Sequence, residues 1–356
     1  MKRLLSRIVV IAAVAGLIVL LWVMYRSEVR DRRRLEANQR SLLTDVEYYR
    51  TRDSLSAAGV ERLTLTNREF RRHAEELERT VEALQLKVRR LQSASRTAVT
   101  TAYPVEARLR DTVIVDPQGV RLHALYAAAP EPTDRTAVIV HGYTDCAVRM
   151  LMIGYLYNHD LRYNILLPDL HYHGRSEGRA IRMGWLDRLD VLRWMEVANA
   201  LFGGNTQMVV HGISMGAATT MMVAGEPQRP YVKCFVEDCG YTSVWDEFSN
   251  ELKTSFGLPA FPLMYTASWL CDLKYGWNFR EASALAQVAK CELPMLFIHG
   301  DADDYVPTWM VYPLYEAKPG EKELWLVPGA GHAYSYRDNR EEYTAVVRAF
   351  VGKYVR

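Results

Sequence analysis

The sequence lacks a strong excess of charge of either sign. Its 44 Lys and Arg residues nearly balance 42 Asp and Glu residues, which gives a formal net charge of +2. A chain without a basic excess has no electrostatic footprint for a phosphate backbone, so we expect no nucleic-acid partner. An apolar fraction of 49% and a charged fraction of 24% are typical of a globular protein.

Cysteines are also few, and none stands in a C-x-x-C pair. The five are scattered along the chain: Cys146, Cys234, Cys239, Cys271 and Cys291. Zinc sites and disulfide frameworks need closely spaced or paired cysteines. We therefore expect free, mostly buried thiols and no metal site, and the odd number favours a reducing compartment.

Proline is absent between Ser27 and Ser95, where Gly59 is the single glycine. The abundance of Arg, Glu, Leu and Ala predicts a helical stalk over residues 27–96. Within residues 60–91 the apolar positions recur in alternating steps of three and four, which is a heptad seam. The seam has these members: Val60, Leu63, Asn67, Phe70, Ala74, Leu77, Val81, Leu84, Val88 and Leu91. Such a seam predicts a coiled-coil homodimer, with a trimer or a single amphipathic helix as alternatives.

Charge is absent between Ile8 and Met24, a run of 17 residues near the lower limit for a membrane span. The run ends without a small-residue site for a signal peptidase, so an uncleaved signal-anchor over residues 1–26 is favoured over a cleaved signal peptide. This predicts a single-pass membrane protein. Basic residues flank the run on both sides, so the side of the membrane that the catalytic part faces stays open.

From residue 97 to residue 356, short apolar runs alternate with helical segments. The predicted strands are 113–115, 121–126, 137–141, 165–168, 208–211, 232–237, 295–299 and 324–327. Nearly continuous apolar runs of this kind are typical of a mostly parallel sheet that helices cover on both faces. Residues 241–290 form an added stretch rich in Trp, Tyr, Phe and Pro, which predicts a small helical cap.

The stretch Gly212-Ile-Ser-Met-Gly216 follows the apolar run of 208–211 and precedes small residues that suit a helix. A strand, a sharp turn and a helix around G-x-S-x-G form a nucleophile elbow, in which glycines are needed beside the raised serine. The sequence therefore predicts Ser214 as a nucleophile. On its own the five-residue motif is a modest indication.

A serine nucleophile needs a base, an acid and donors for an oxyanion. His332 follows the last predicted strand on a Gly-rich loop, and Asp303 follows the strand before it. We expect His332 to be the base and Asp303 the acid, with Asp238 at the end of the sixth strand as the alternative acid. The backbone N–H groups of Tyr143 and Met215 are the expected oxyanion donors.

Residues 100–356 resemble serine hydrolases of the α/β-hydrolase superfamily. The matching segments are His141-Gly-Tyr143, Pro168 to Gly178, Gly212 to Gly216, His299 to Asp303 with Val306-Pro307, and Gly331-His332. The spacing H-G-x-x-D-x-x-V-P of that superfamily selects Asp303 as the acid. Residues 237–243 and the Pro-rich helical insertion further resemble bacterial hydrolases of esterase or peptidase-like type.

The resemblance implies a covalent acyl-enzyme mechanism without a cofactor, acting on an ester, thioester or amide. Carboxylic-ester hydrolysis is favoured over peptide hydrolysis, and a hydrophobic acyl group is the expected substrate. A peptidase or a transacylase would use the same residues. A non-catalytic, membrane-tethered interaction protein is the alternative from another class. Asp169-Leu-His-Tyr-His173 has metal-binding residue types, but in the superfamily this segment is a structural turn.

Overall fold

One sheet of eight strands organises residues 109–356, the part of the chain that the computed structural model describes. The strands are β1 (Arg110–Val115), β2 (Arg121–Ala127), β3 (Arg135–Val140), β4 (Asn164–Pro168), β5 (Gln207–Ile213), β6 (Val232–Asp238), β7 (Met295–Gly300) and β8 (Lys322–Val327). Their order across the sheet is β1-β2-β4-β3-β5-β6-β7-β8. β1 pairs with β2, and β2 with β4, in antiparallel fashion. The six strands β3 to β8 are mutually parallel. The prediction of a mostly parallel eight-stranded sheet is confirmed.

Nine α-helices lie between these strands or after the last of them within the described residues. They are α1 (Leu151–Tyr155), α2 (Asp187–Leu201), α3 (Met215–Ala224), α4 (Val244–Phe256), α5 (Leu263–Tyr275), α6 (Ala284–Val288), α7 (Val311–Ala317), α8 (Ser335–Asp338) and α9 (Arg340–Tyr354). A π-helical turn over Leu156–Asp160 continues α1, and a 3-10 turn over Thr308–Met310 precedes α7.

Two apolar cores lie on opposite faces of the sheet. Residues of α2, α3, α6 and α7 pack in one core, which includes Trp194 and Met221. Residues of α1 and α9 pack in the other, which includes Ile153 and Phe350. The central strands are buried on both faces because helices cover both sides, and this explains their uninterrupted apolar sequences.

Helices α4, α5 and α6 form the stretch 241–290, where the sequence predicts helical insertion. Ser243 caps α4 by accepting the backbone N–H of Asp246, and Gly257 ends it in a left-handed conformation. The ring of Trp245 on α4 meets that of Tyr265 on α5 edge to face, with centroids 5.0 Å apart. Aromatic contacts of this kind join the two helices to each other.

The predicted membrane localisation is corrected: across residues 109–356, no helix is long and apolar enough to cross a membrane. The run that suggested a span, Ile8–Met24, is at the lower limit of the roughly 17–25 apolar residues of a spanning helix and lies outside residues 109–356. The predicted signal-anchor (1–26), helical stalk (27–96) and dimer seam (60–91) lie outside the described residues, as does the boundary predicted at residue 97.

Candidate active site

Ser214 lies in the sharp turn between β5 and α3, at the carboxyl edge of the sheet. Its backbone has φ 57° and ψ −121°, a strained conformation for a residue with a side chain. The next residue, Met215, begins α3. The turn therefore lifts the serine side chain off the strand and places it at the positive end of a ten-residue helix.

Two glycines make this turn possible because backbone approaches it closely on both sides. A Cβ added to Gly216 would lie 2.1 Å from the carbonyl oxygen of Val140 on β3. A Cβ added to Gly212 would lie 2.0 Å from the carbonyl oxygen of Gly216 itself. Real Cβ atoms do not approach backbone oxygens to such distances, so both positions require glycine.

We expect Gly216→Ala to destabilise the fold by about 3 kcal/mol, the upper end of the usual cost of overpacking, because rigid backbone cannot yield. Gly352→Ala is the matched control, since Gly352 lies in α9 with nothing within 4 Å of the added Cβ. That change should stabilise by about 0.5 kcal/mol through helix propensity. Urea unfolding followed by circular dichroism measures both, and equal stability of the two variants would contradict the close approach at Gly216.

A chain of hydrogen bonds joins Ser214, His332 and Asp303. The Oγ of Ser214 lies 2.8 Å from Nε2 of His332, and Nδ1 of His332 lies 2.8 Å from Oδ2 of Asp303. All three residues are buried: Ser214 is 7% exposed, His332 is 3% exposed and Asp303 is 5% exposed. The structure thus brings together the three residues that the sequence selects, in the serine–imidazole–carboxylate order of a nucleophile, a base and an acid.

The surroundings of Asp303 fix which of its oxygens faces His332. Oδ1 accepts the backbone N–H groups of Tyr305 and Val306, each at 3.0 Å. Oδ2 is left to accept from Nδ1 of His332. A proton on Nδ1 leaves Nε2 as an acceptor for the Ser214 hydroxyl, which is the tautomer that a general base needs.

The loop that carries His332 is held in place by backbone and ring contacts. Ala333 next to it adopts φ 57°, so the chain turns sharply behind the imidazole. The ring of Tyr305 packs on the imidazole with centroids 5.0 Å apart. These contacts restrict the ring to the space between Ser214 and Asp303.

The loop after β3 approaches Ser214 from the other side. A Cβ added to Gly142 would lie 3.9 Å from the Ser214 Oγ, which places the Gly142–Tyr143 segment beside the nucleophile. His141 holds this loop, because its Nδ1 donates to the carbonyl of Gly142 at 2.7 Å and its Nε2 accepts the N–H of Leu170 at 2.9 Å. The two residues expected to supply oxyanion donors, Tyr143 and Met215, therefore flank Ser214.

Asp238, the alternative acid, lies at the end of β6 and points its carboxylate elsewhere. Oδ1 accepts from the Ser335 hydroxyl at 3.1 Å, and Oδ2 accepts from the Tyr343 hydroxyl at 3.0 Å. Burial raises the pKa of the Asp238 carboxyl to about 7, against the two hydrogen bonds that lower it. The hydrogen bond to Nδ1 of His332 belongs to Asp303.

The segment that resembled a metal site has internal partners in this structure. Asp169 pairs with His123 at 2.7 Å and accepts the backbone N–H of Ala147 at 2.7 Å. His171 bonds the carbonyl of Ala180, and His173 lies against Thr144. These bonds tie the turn after β4 to neighbouring loops.

Sequence reasoning missed Cys239, Ser335 and Tyr343 at this site. The Sγ atom of Cys239 lies within 4.8 Å of a carboxylate oxygen of Asp303 and a ring nitrogen of His332. Burial holds the pKa of the Cys239 thiol well above its usual range. Cys239 directly follows the end of a strand, and from this position the sequence could have indicated a residue of the site. Ser335 and Tyr343 lie on helices after the Gly-rich loop, and no motif marks them.

Comparisons with known proteins agree with this architecture. Residues 182–356 match the model of the prolyl oligopeptidase family, and residues 28–148 match that of a family of unknown function, DUF6549. Among solved structures, esterase Pf2001 of Pyrococcus furiosus superposes with a TM-score of 0.57 at 21% identity, covering 70% of this chain and 94% of the esterase. An acylaminoacyl peptidase bound to Z-Gly-Gly-Phe-chloromethyl ketone superposes with a TM-score of 0.53 at 18% identity, covering 70% of this chain and 42% of the peptidase.

At these identities the structural likeness establishes the fold. The sequence relative YqkD of Bacillus subtilis (strain 168), an uncharacterised protein, is 32% identical over 226 residues, which are 64% of this chain and 74% of YqkD. Identity over that share of both chains establishes kinship. The chain belongs to the same family as YqkD, and its residues 109–356 have the α/β-hydrolase fold.

Proposed function

We propose that this protein is a serine hydrolase that cleaves a carboxylic ester through an acyl-enzyme. The observation that carries the proposal is the hydrogen-bonded chain from Ser214 through His332 to Asp303, built on a strained elbow. A buried serine bonded to a correctly oriented imidazole is the arrangement that acyl transfer requires.

In the first half-reaction the Ser214 Oγ attacks the substrate carbonyl carbon and His332 Nε2 takes the hydroxyl proton. The tetrahedral oxyanion accepts hydrogen bonds from the backbone N–H groups of Tyr143 and Met215. Its collapse breaks the bond to the leaving group, which receives the proton from His332. Asp303 keeps the imidazole in its tautomer and stabilises the imidazolium.

In the second half-reaction water attacks the acyl-enzyme. His332 takes one proton from the water and returns it to Ser214, so the acid product leaves and the enzyme is restored. No cofactor takes part in either half-reaction as we propose it.

The rim of the site supports a hydrophobic acyl group. Tyr143, which follows Gly142 beside the nucleophile, is 46% exposed. Exposed aromatic side chains at the mouth of a site supply apolar contact area for a ligand. The aromatic helices α4 and α5 extend this apolar character, and we propose that they act as the cap of the site.

A fluorophosphonate probe tests the proposal, because it phosphonylates an activated serine with loss of fluoride and leaves ordinary hydroxyls unmodified. We expect the probe to label the folded wild-type protein at Ser214, identified by peptide mass mapping. Ser283→Ala is the matched control, since Ser283 caps α6 and should leave labelling unchanged. Folded protein that resists labelling would refute a serine hydrolase.

Peptide-bond cleavage is the second candidate because residues 182–356 match the prolyl oligopeptidase family. Hydrolysis of p-nitrophenyl esters of graded chain length and of aminoacyl amides separates the two reactions. We expect kcat/KM to rise with acyl chain length and to be higher for the esters than for the amides. A higher kcat/KM for the amides would identify a peptidase.

A further inference from the structure

We propose that Asp238 is a positioning residue that ties the nucleophile elbow to the loop carrying the base. This inference rests on the proposed function, because its consequence is the alignment of Ser214 with His332. Asp238 is 1% exposed and does not bond the imidazole itself, so it acts through the residues it holds.

The main chain of Asp238 holds the nucleophile. The carbonyl oxygen of Asp238 accepts the backbone N–H of Ser214 at 2.8 Å. This bond extends the pairing of β5 with β6, in which Ile213 lies opposite Asp238. It therefore fixes the strained backbone of Ser214 to the neighbouring strand.

The side chain of Asp238 holds the base. Oδ1 accepts from the hydroxyl of Ser335, which lies three residues after His332 at the start of α8. Oδ2 accepts from the hydroxyl of Tyr343 on α9. One residue thus fixes both sides of the 2.8 Å contact between Ser214 and His332.

A longer chain of buried hydrogen bonds gives the side chain of Asp238 a single orientation. The hydroxyl of Tyr157 lies 3.1 Å from Nδ1 of His211. Nε2 of His211 lies 3.0 Å from the hydroxyl of Tyr343. Burial lowers the pKa of His211 to about 3, so the ring is neutral and carries one proton. Every donor is used if Tyr157 donates to Nδ1, Nε2 donates to Tyr343, and Tyr343 donates to Asp238.

That direction of donation requires an acceptor at the end of the chain, and a carboxylate accepts at both oxygens. The charged or titratable groups around it come from several elements: Glu237 and Cys239 beside it in the chain, His332 and Asp303 from the loops, and Tyr343 from α9. His332 favours the charged form of Asp238 and Asp303 disfavours it.

Asp238→Asn removes the charge and one acceptor with little change in volume. The amide can still accept from Tyr343, but its NH2 group then faces Ser335 and cannot accept from it. We expect kcat to fall by up to about 100-fold with KM within about twofold, on the scale of a misplacement of about 1 Å. The split between kcat and KM is a readout that a merely structural role would not produce, because misalignment of Ser214 and His332 slows the chemical step and leaves substrate binding intact.

Ser335→Ala and Tyr343→Phe separate positioning from charge. Each removes one hydrogen bond to Asp238 and keeps its carboxylate, so kcat should fall with KM within about twofold, as in Asp238→Asn. Thr344→Ala is the control on α9, because Thr344 bonds the carbonyl of Arg340 on its own helix. Its kcat and KM should equal those of the wild type.

Thermal melts and fluorophosphonate titration of each variant report the folded, active fraction, to which kcat is normalised. If Asp238→Asn does not fold, Ser335→Ala and Tyr343→Phe carry the test. Folded variants with a wild-type kcat would overturn the positioning role. A fall in the kcat of Asp238→Asn as large as that expected when the catalytic acid is lost would also overturn it. A wild-type protein without labelling or hydrolysis would instead refute the proposed function, so the two failures are distinguishable.

Discussion

Replacing Ser214 by alanine should reduce kcat by about 10⁶-fold, the loss seen when a serine nucleophile is removed from such a unit. The change removes only the hydroxyl that lies 2.8 Å from His332, while the elbow and the proposed oxyanion donors stay in place. A residual rate above that of water should remain, because binding and the oxyanion donors still act. Initial rates on the best p-nitrophenyl ester measure the effect.

Ser283→Ala controls for the loss of a serine hydroxyl as such. Ser283 accepts the N–H of Ala286 at the start of α6, and losing this cap should cost about 1 kcal/mol of stability with kcat unchanged. Hydrolysis that persists in folded Ser214→Ala would show that another group attacks the substrate. Activity lost equally in both variants would point to unfolding as the cause.

The sheet could be predicted because its central strands are buried on both faces and therefore carry apolar sequence without interruption. The residues at which the strands end were harder to predict. The sequence predicted that the fifth strand stops at His211, since glycine follows, whereas β5 continues through Ile213. Gly212 and Ile213 still pair with Glu237 and Asp238 of β6, and this tertiary pairing outweighs the local preference of glycine.

The positions of Ser214, Asp303 and His332 could be predicted for a related reason. Each follows a strand of a parallel sheet, and the carboxyl ends of such strands meet at one edge. The supporting contacts could not be predicted, because they join residues far apart in sequence. Ser335 and Tyr343 lie 97 and 105 residues after Asp238, and neither stands in a motif.

Asp303→Asn should reduce kcat by about 10⁴-fold, with the fold retained, because it reverses the tautomer of His332. The amide oxygen must occupy the Oδ1 position, where it accepts the N–H groups of Tyr305 and Val306. The NH2 group then faces Nδ1 of His332 and donates to it. The imidazole proton moves to Nε2, which can no longer accept the proton of Ser214.

Asp301→Asn is the matched control for this change. Asp301 is exposed two residues earlier, and its Oδ1 accepts the N–H of Gly329, which an amide oxygen can also do. We expect its kcat to stay within about twofold of the wild type, because surface changes of this kind cost little. If Asp303→Asn keeps the wild-type kcat and Asp238→Asn is inactive, the acid is Asp238 rather than Asp303. Because the amide at position 303 can satisfy its two backbone donors in only one orientation, a folded and active variant cannot be attributed to a rotated side chain.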